Sequence, residues 1–237
     1  MMDRNFQLYI PYACNIKALN TSINSAIPQM KKHSTWEGKK IVVLNDTPEP
    51  IDHLIENIDE VEIFEFPYRI KMTHAQQGNW MIRDAIHKKQ PFCLTIHSDA
   101  EMLDGAVQEM LERLETIYDT KWGVQFNGAG WCVFAAYNLK FFIEEDIWFD
   151  PFLFPFYYMD NHMLRLMSLW GWDVIMSSDK KTILHKSSHY LKEDPVFRRK
   201  NDIAFGYHGG IYSAIWGGLP GQEKSNDKYA NGTIRRK

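Results

Sequence analysis

Pro91-Phe-Cys-Leu-Thr-Ile-His-Ser-Asp-Ala-Glu-Met102 is the stretch on which the reading of this chain turns. Phe92 to Ile96 is a short apolar run with β-branched content, the signature of a buried strand. The run stops at His97-Ser98-Asp99-Ala100-Glu101, where an imidazole and two carboxylates crowd together. Beyond it, Leu103, Val107, Met110, Leu111 and Leu114 recur at helical spacing. In an open α/β sheet, ligands gather just past the carboxyl ends of the strands, so a polar cluster there is where chemistry is expected. Two-residue spacing puts His97 and Asp99 on the same side of the strand end.

Working outward, strand and helix patterns alternate. Phe6 to Pro11, Lys40 to Leu44 and Val61 to Phe66 read as strands; Asn15 to Ile27, Ile51 to Ile58 and Gly78 to Lys88 read as helices. That alternation up to about residue 115 predicts a mostly parallel sheet covered on both faces. Beyond residue 120 the rhythm changes. Lys121 to Phe126 and Trp131 to Tyr137 are strand-like around an Asn127-Gly128-Ala129-Gly130 turn, and Phe149 to Tyr158 is too rich in aromatics and proline for a regular helix. Phe152, Phe154 and Phe156 alternate and read as core. Met159 to Leu169 reads as a helix, and Asp173 to Met176 and Thr182 to Leu184 as short strands. From Asp194 the chain is polar, glycine-rich and irregular. One domain over 1–193 is expected, with halves at 1–115 and 116–193 and a C-terminal extension or lid at 194–237.

With 237 residues, 45% apolar and 24% charged, the chain has an ordinary globular composition and enough length for a sizeable core. A net charge of −3 gives no global basic field, so no general nucleic-acid binder is indicated. Basic clusters such as Arg198-Arg199-Lys200 read as solvated surface. Cys93 and Cys132 lie in apolar runs and, with Cys14, form neither a disulfide framework nor a zinc site. No apolar run reaches membrane-spanning length, and neither a signal-peptide core nor an amphipathic anchor is visible. A cytoplasmic location is expected (a host cytoplasm if the chain is phage-encoded).

Taken in order, these segments resemble the nucleotide-sugar-dependent glycosyltransferases of the GT-A fold, family 2 in particular, over most of the chain. Leu8-Tyr-Ile-Pro-Tyr12 resembles the family's first strand, whose end lines the nucleobase pocket, and Ile41-Val-Val-Leu-Asn-Asp46 the second, whose terminal acid contacts the base. Arg83-Asp84 stands where the family has Arg-Asn. His97-Ser98-Asp99 stands in the place of the Asp-x-Asp metal motif, with His97 for the first acid. Phe154-Pro-Phe-Tyr-Tyr-Met-Asp160 resembles the acceptor-side segment ending in Glu-Asp, here with Met159 for the Glu and His162 for the acid two residues beyond; Arg165 and Gly171 follow. His185-Lys-Ser-Ser188 resembles a late His-x-x-Ser element, and Tyr207 to Gly221 a tail of short bacterial and phage members.

The resemblance implies a metal-dependent transfer from a nucleotide sugar, UDP-linked, to an acceptor hydroxyl. Leaving diphosphate needs a divalent cation, Mn²⁺ or Mg²⁺, with Asp99, His97 and His185 as the implied ligands. Asp160 is the implied base of an inverting displacement. Pro11, Tyr12, Asp46, Arg83, His97, Ser98 and Trp216 are the implied donor contacts, with Lys71 a further cation near phosphate and Gly217-Gly218 hinges for a Trp216 lid. Each has a plainer alternative: helix N-caps for Asp99 and Asp160, a structural histidine for His97, a ring packed on the domain for Trp216. Tyr157, Tyr158 and Trp148 can stack on a sugar or base, and Glu144, Glu145, Asp146 and Asp150 are reserve carboxylates. The acceptor is open between a surface glycan and a hydroxymethylated base in phage DNA. Two other classes compete. A nucleotidyltransferase would carry a glycine-rich loop after the first strand, and residues 11–18 hold no glycine. An inactive nucleotide-sugar-binding protein is suggested by His97, Met159 and His162.

Overall fold

In the computed structural model, residues 5–33, 36–66, 72–127, 132–177, 182–186 and 195–224 are described. Lys71, Ser188, Gly128 to Gly130 of the expected turn and Trp131 of the strand after it lie outside them. The central sheet has seven strands: β1 (Leu8–Tyr12), β2 (Ile41–Asn45), β3 (Val61–Glu65), β4 (Phe92–Ile96), β6 (Trp122–Asn127), β7 (Phe134–Asn138) and β8 (Asp173–Ser177). Their order is β3-β2-β1-β4-β7-β6-β8. Only β7 runs against its neighbours β4 and β6 among these pairings; the other ladders are parallel. The sheet is thus mixed and mostly parallel, as expected. A separate two-stranded sheet pairs β5 (Ala100–Met102) with β9 (Ile183–His185).

Alternation along the strands divides the core in two. Leu8, Ile10 and Tyr12 of β1 join Leu19 and Ile23 of α1 (Ile16–Lys31) and Met110 and Leu114 of α3 (Ala106–Ile117). Tyr9 points the other way, among Met81 of α2 (His74–His87), Phe141 of α4 (Leu139–Glu145) and Met163 of α5 (Met159–Leu169). A period of two on the strands and about 3.6 on the helices places these side chains, each apolar group leaving water for about 25 cal/mol per Å². Cys93 and Cys132 are buried in this second layer, and Cys14 is exposed.

Four local expectations are corrected. Residues 51–58 form no α-helix but two single 3₁₀ turns, Asp52–Leu54 and Ile58–Glu60. The Asn20 side chain donates to the Leu54 carbonyl at 2.9 Å and accepts the Glu56 N–H at 3.2 Å, so a tertiary contact holds the intervening backbone out of a helix. α2 begins four residues earlier than its apolar periodicity suggests, because Thr73 and Gln76 form a capping box. Gly78 within it faces Phe149 so closely that a Cβ would stand 2.9 Å from the ring. The C-terminal segment is not irregular over residues 195–216: Pro195–Trp216 is one helix, α6. Finally, of the three alternating phenylalanines only Phe154 is core; Phe152 and Phe156 are exposed.

α6 docks through aromatic rings. Phe154, Tyr158, Tyr212 and Trp216 form a third apolar cluster, and a Cβ on Gly209 would stand 2.9 Å from the Tyr158 hydroxyl, so glycine is what permits this approach.

Candidate functional site

His97, Asp99 and His185 come together at the carboxyl end of β4. Their ligand atoms lie within 4.8 Å of one another, although 86 residues of chain separate Asp99 from His185. The small β5–β9 sheet is what joins them, since its register sets Ala100 opposite His185. Lys186 then donates its N–H to the Asp99 carbonyl at 2.9 Å. His185 Nε2 is 3.2 Å from Asp99 Oδ1, and the two imidazoles meet edge to face at 5.6 Å.

The loop carrying Asp99 is held from behind by α1. Ser22 donates to the His97 carbonyl at 3.2 Å, Ser25 accepts the Met102 N–H at 3.0 Å, and Gln29 accepts the Gly105 N–H at 3.0 Å. Positions 22, 25 and 29 lie on one helix face, and reading only the apolar face of α1 overlooks them. On its other side His97 donates its N–H to the Val133 carbonyl at 2.9 Å. The N-cap of α3 is Gly105 in the left-handed region at φ 82°, so Asp99 does not cap that helix.

Electrostatics follow from this packing. Burial pushes the His97 imidazole down to about 4, against the pull of Asp99 and helped by His185 and His74. It is therefore neutral at neutral pH, the form that ligates. Burial alone would raise the Asp99 carboxyl; the His185 hydrogen bond and the two imidazoles outweigh it and hold it below the usual value. A carboxylate with two imidazoles fits a cation that accepts nitrogen as well as oxygen, Mn²⁺ better than Mg²⁺.

Asp160 occupies the first turn of α5, whose N-cap is Tyr158, so it is not the cap either. Its Oδ1 accepts the Asn161 N–H at 2.9 Å. Burial raises its carboxyl above the ordinary value, with that backbone bond opposing. Burial raises the Cys132 thiol, with the Asp160 carboxylate adding to it, and Cys132 directly precedes the Val133 that binds His97. Tyr158 and Cys132 both adopt positive φ, 63° and 44°, which costs roughly 1–3 kcal/mol each for a non-glycine residue.

The strand ends expected to meet a nucleotide are adjacent. Pro11 and Tyr12 close β1, and the Asp46 N–H at the end of β2 donates to the Tyr12 carbonyl at 2.8 Å. Asp46 is buried and accepts the Met72 N–H at 2.5 Å. Ser98 is half-buried between His97 and Asp99. Arg83 is not brought to this edge. It is exposed on the third turn of α2, its guanidinium 4.9 Å over Trp148, about 14 Å along the helix axis from His74. Among the reserve carboxylates, Asp150 accepts the Phe152 and Leu153 N–H groups and shapes a turn, Asp146 binds the Trp148 indole, and Glu145 the Trp172 indole.

Trp216 is buried against α5. Its indole N–H donates to His162 Nδ1 at 3.1 Å, with Arg165 5.8 Å over the ring. This is the packed arrangement, and it gives His162 a task the sequence did not disclose: burial holds its imidazole down at about 4, in the neutral form that accepts. Trp216→Ala is expected to lower unfolding free energy by about 3–5 kcal/mol, read from urea midpoints. A lid over the donor would instead lose nucleotide affinity at unchanged stability.

No protein-family model matches the chain, and no curated protein does. Solved structures do. S. aureus TarS 1–349 matches with a TM-score of 0.57 at 12% identity, over 79% of this chain and 62% of that one. The mannosyltransferase PcManGT from Pyrobaculum calidifontis, in complex with GDP-Man and Mn²⁺, matches at 0.55 and 12% identity, over 74% and 55%. TarS 1–349 in complex with UDP matches at 0.51 and 11%, over 76% and 59%. The chain spans less than two thirds of the length of each. At such identity the likeness is one of architecture, and it agrees with the strand order and mixed sheet described above: the chain has an α/β fold of the GT-A glycosyltransferase type.

Proposed function

We propose that this protein transfers a sugar from a nucleoside diphosphate donor, UDP-linked, to the hydroxyl of a glycan acceptor. The observation that carries the reading is the meeting of His97, Asp99 and His185 at the carboxyl end of β4. The presence of UDP in one TarS structure and of GDP-Man with Mn²⁺ in the PcManGT structure supports it. His97, Asp99 and His185 would hold Mn²⁺, which neutralises charge on a departing diphosphate. Pro11, Tyr12 and Asp46 would bound the base pocket.

In the transfer, the bond from the anomeric carbon to the diphosphate oxygen breaks as the acceptor oxygen bonds to the opposite face. The acceptor proton passes to Asp160, whose carboxyl is raised by burial and so accepts a proton more readily than an ordinary carboxylate. The anomeric centre inverts. For a hydroxymethylated DNA base as acceptor, the net charge of −3 supplies no overall attraction to a polyanion.

A thermal-shift series tests the donor site. UDP-sugar with Mn²⁺ is expected to stabilise the protein, by about 2.7 kcal/mol at a ligand concentration a hundred times Kd. Mg²⁺ should need at least about tenfold higher concentration, because two of the three ligand atoms are imidazole nitrogens. Absence of any shift across nucleotides and metals would remove the reading. Stabilisation without turnover or donor hydrolysis would favour an inactive sugar-nucleotide-binding protein.

A further inference from the structure

Beside Asp160 the surface carries apolar side chains that the transfer chemistry leaves unused. Phe152 is 92% exposed at the tip of the Asp150 turn, and Leu153 and Phe156 are exposed with it. On α6, Ile203, Phe205 and Tyr207 are exposed as well. The two segments are continuous, since the Phe205 ring lies 5.5 Å from Tyr157 and 5.0 Å from Tyr158. Phe156 extends the surface to His74 at the start of α2, 5.6 Å away.

The first three turns of α6 are largely exposed apart from the Phe205 contact, and among the described side chains of the helix His208 is the first that is buried. On this projecting part Arg198, Arg199 and Lys200 are exposed. Asp202 is the single acid within residues 195–216, so the helix carries +2 on a chain of net charge −3.

We propose that this surface seats the protein on an anionic lipid surface. Phe152 and Leu153 enter the interface, while Arg198, Arg199 and Lys200 meet the headgroup charges. Aromatic and aliphatic tips next to cations are what that boundary takes up, and neither element need span it. No described helix is long and apolar enough to cross a membrane.

The charge pattern selects this occupant over two others. A second copy across a two-fold axis would bring each basic trio towards its own counterpart, with one carboxylate to offset it. Duplex DNA is held mainly by phosphate contacts, whereas here exposed apolar groups outnumber cations. A lipid surface satisfies both sets. The consequence for the acceptor, that it is a glycan carried at that surface, rests on the proposed transferase function; the docking itself does not.

The test is co-sedimentation of the full chain with vesicles of phosphatidylcholine rich in phosphatidylglycerol, against phosphatidylcholine alone. Wild type is expected to pellet with the anionic vesicles and to be released by salt. Each cation near such a surface is worth about fivefold in partition, so R198Q/R199Q/K200Q should weaken binding roughly a hundredfold. F152S/L153S should weaken it by about tenfold or more. All five side chains are exposed, so melting temperatures and UDP-sugar shifts should be unchanged; this separates failure of docking from failure of the donor site. Equal partition onto neutral vesicles, or none onto either, overturns the proposal. So does a concentration-dependent dimer abolished by F152S/L153S, or salt-sensitive retention of duplex DNA in place of vesicles.

Discussion

Asp160→Asn is expected to lower kcat by about 10²–10⁴-fold, the range that removal of a positioned general base costs. The substitution keeps an oxygen for the Asn161 N–H, so the first turn of α5 is retained. It also removes a carboxyl that folding desolvates. Because burial raises that carboxyl, the folded protein holds the proton at pH values where the unfolded chain has released it. This contribution is fully present below the unfolded pKa and is lost as pH rises through the folded one. The asparagine variant should therefore be as stable as wild type near neutral pH or more so, read from urea midpoints. In the wild type, activity should fall as pH drops through the raised value, and that acid limb should vanish from the residual activity of the variant. Unchanged kcat in a folded Asp160→Asn protein would take the base away from this residue.

Asp99→Ala is expected to abolish Mn²⁺-dependent stabilisation by UDP-sugar and to cost on the order of 10³-fold in activity, the scale of losing charge stabilisation at a leaving group. The mutation leaves two imidazoles facing each other without their carboxylate, and two neutral nitrogens are a weak site for either Mn²⁺ or Mg²⁺. Calorimetric titration with Mn²⁺ alone reads the effect directly and does not require knowledge of the sugar or acceptor. His185→Ala should approach it in size. If Asp99→Ala bound Mn²⁺ as wild type does, the cluster would be a structural hydrogen-bonded group and the metal, if any, would sit elsewhere.

The site was legible in parts. His97 and Asp99 stand out because they interrupt an apolar strand, a signal carried by five consecutive residues. His185 entered only through a family resemblance, since nothing local to Thr182–Leu184 says which strand it will pair with. Ser22, Ser25 and Gln29 escaped notice because polar residues on a helix read as solvated until the loop they support is in place. His162 read as a lost acid; its role as acceptor for Trp216 required a helix more than thirty residues away. Phe152 and Phe156 read as core because alternation marks a buried face only when a second layer covers it.

By itself the sequence determined the seven strands of the central sheet and most of the helices, with the β4 edge as the place for chemistry, because apolar periodicity is a local property and burial enforces it; the short strand β5 was not legible. Tertiary structure alone decided the pairing of β5 with β9 that delivers His185 to Asp99, the two 3₁₀ turns imposed by Asn20, and the docking of α6 through Trp216. Each of these depends on contacts between residues far apart in the chain, whose free energy exists only once the sheet has brought the partners within reach.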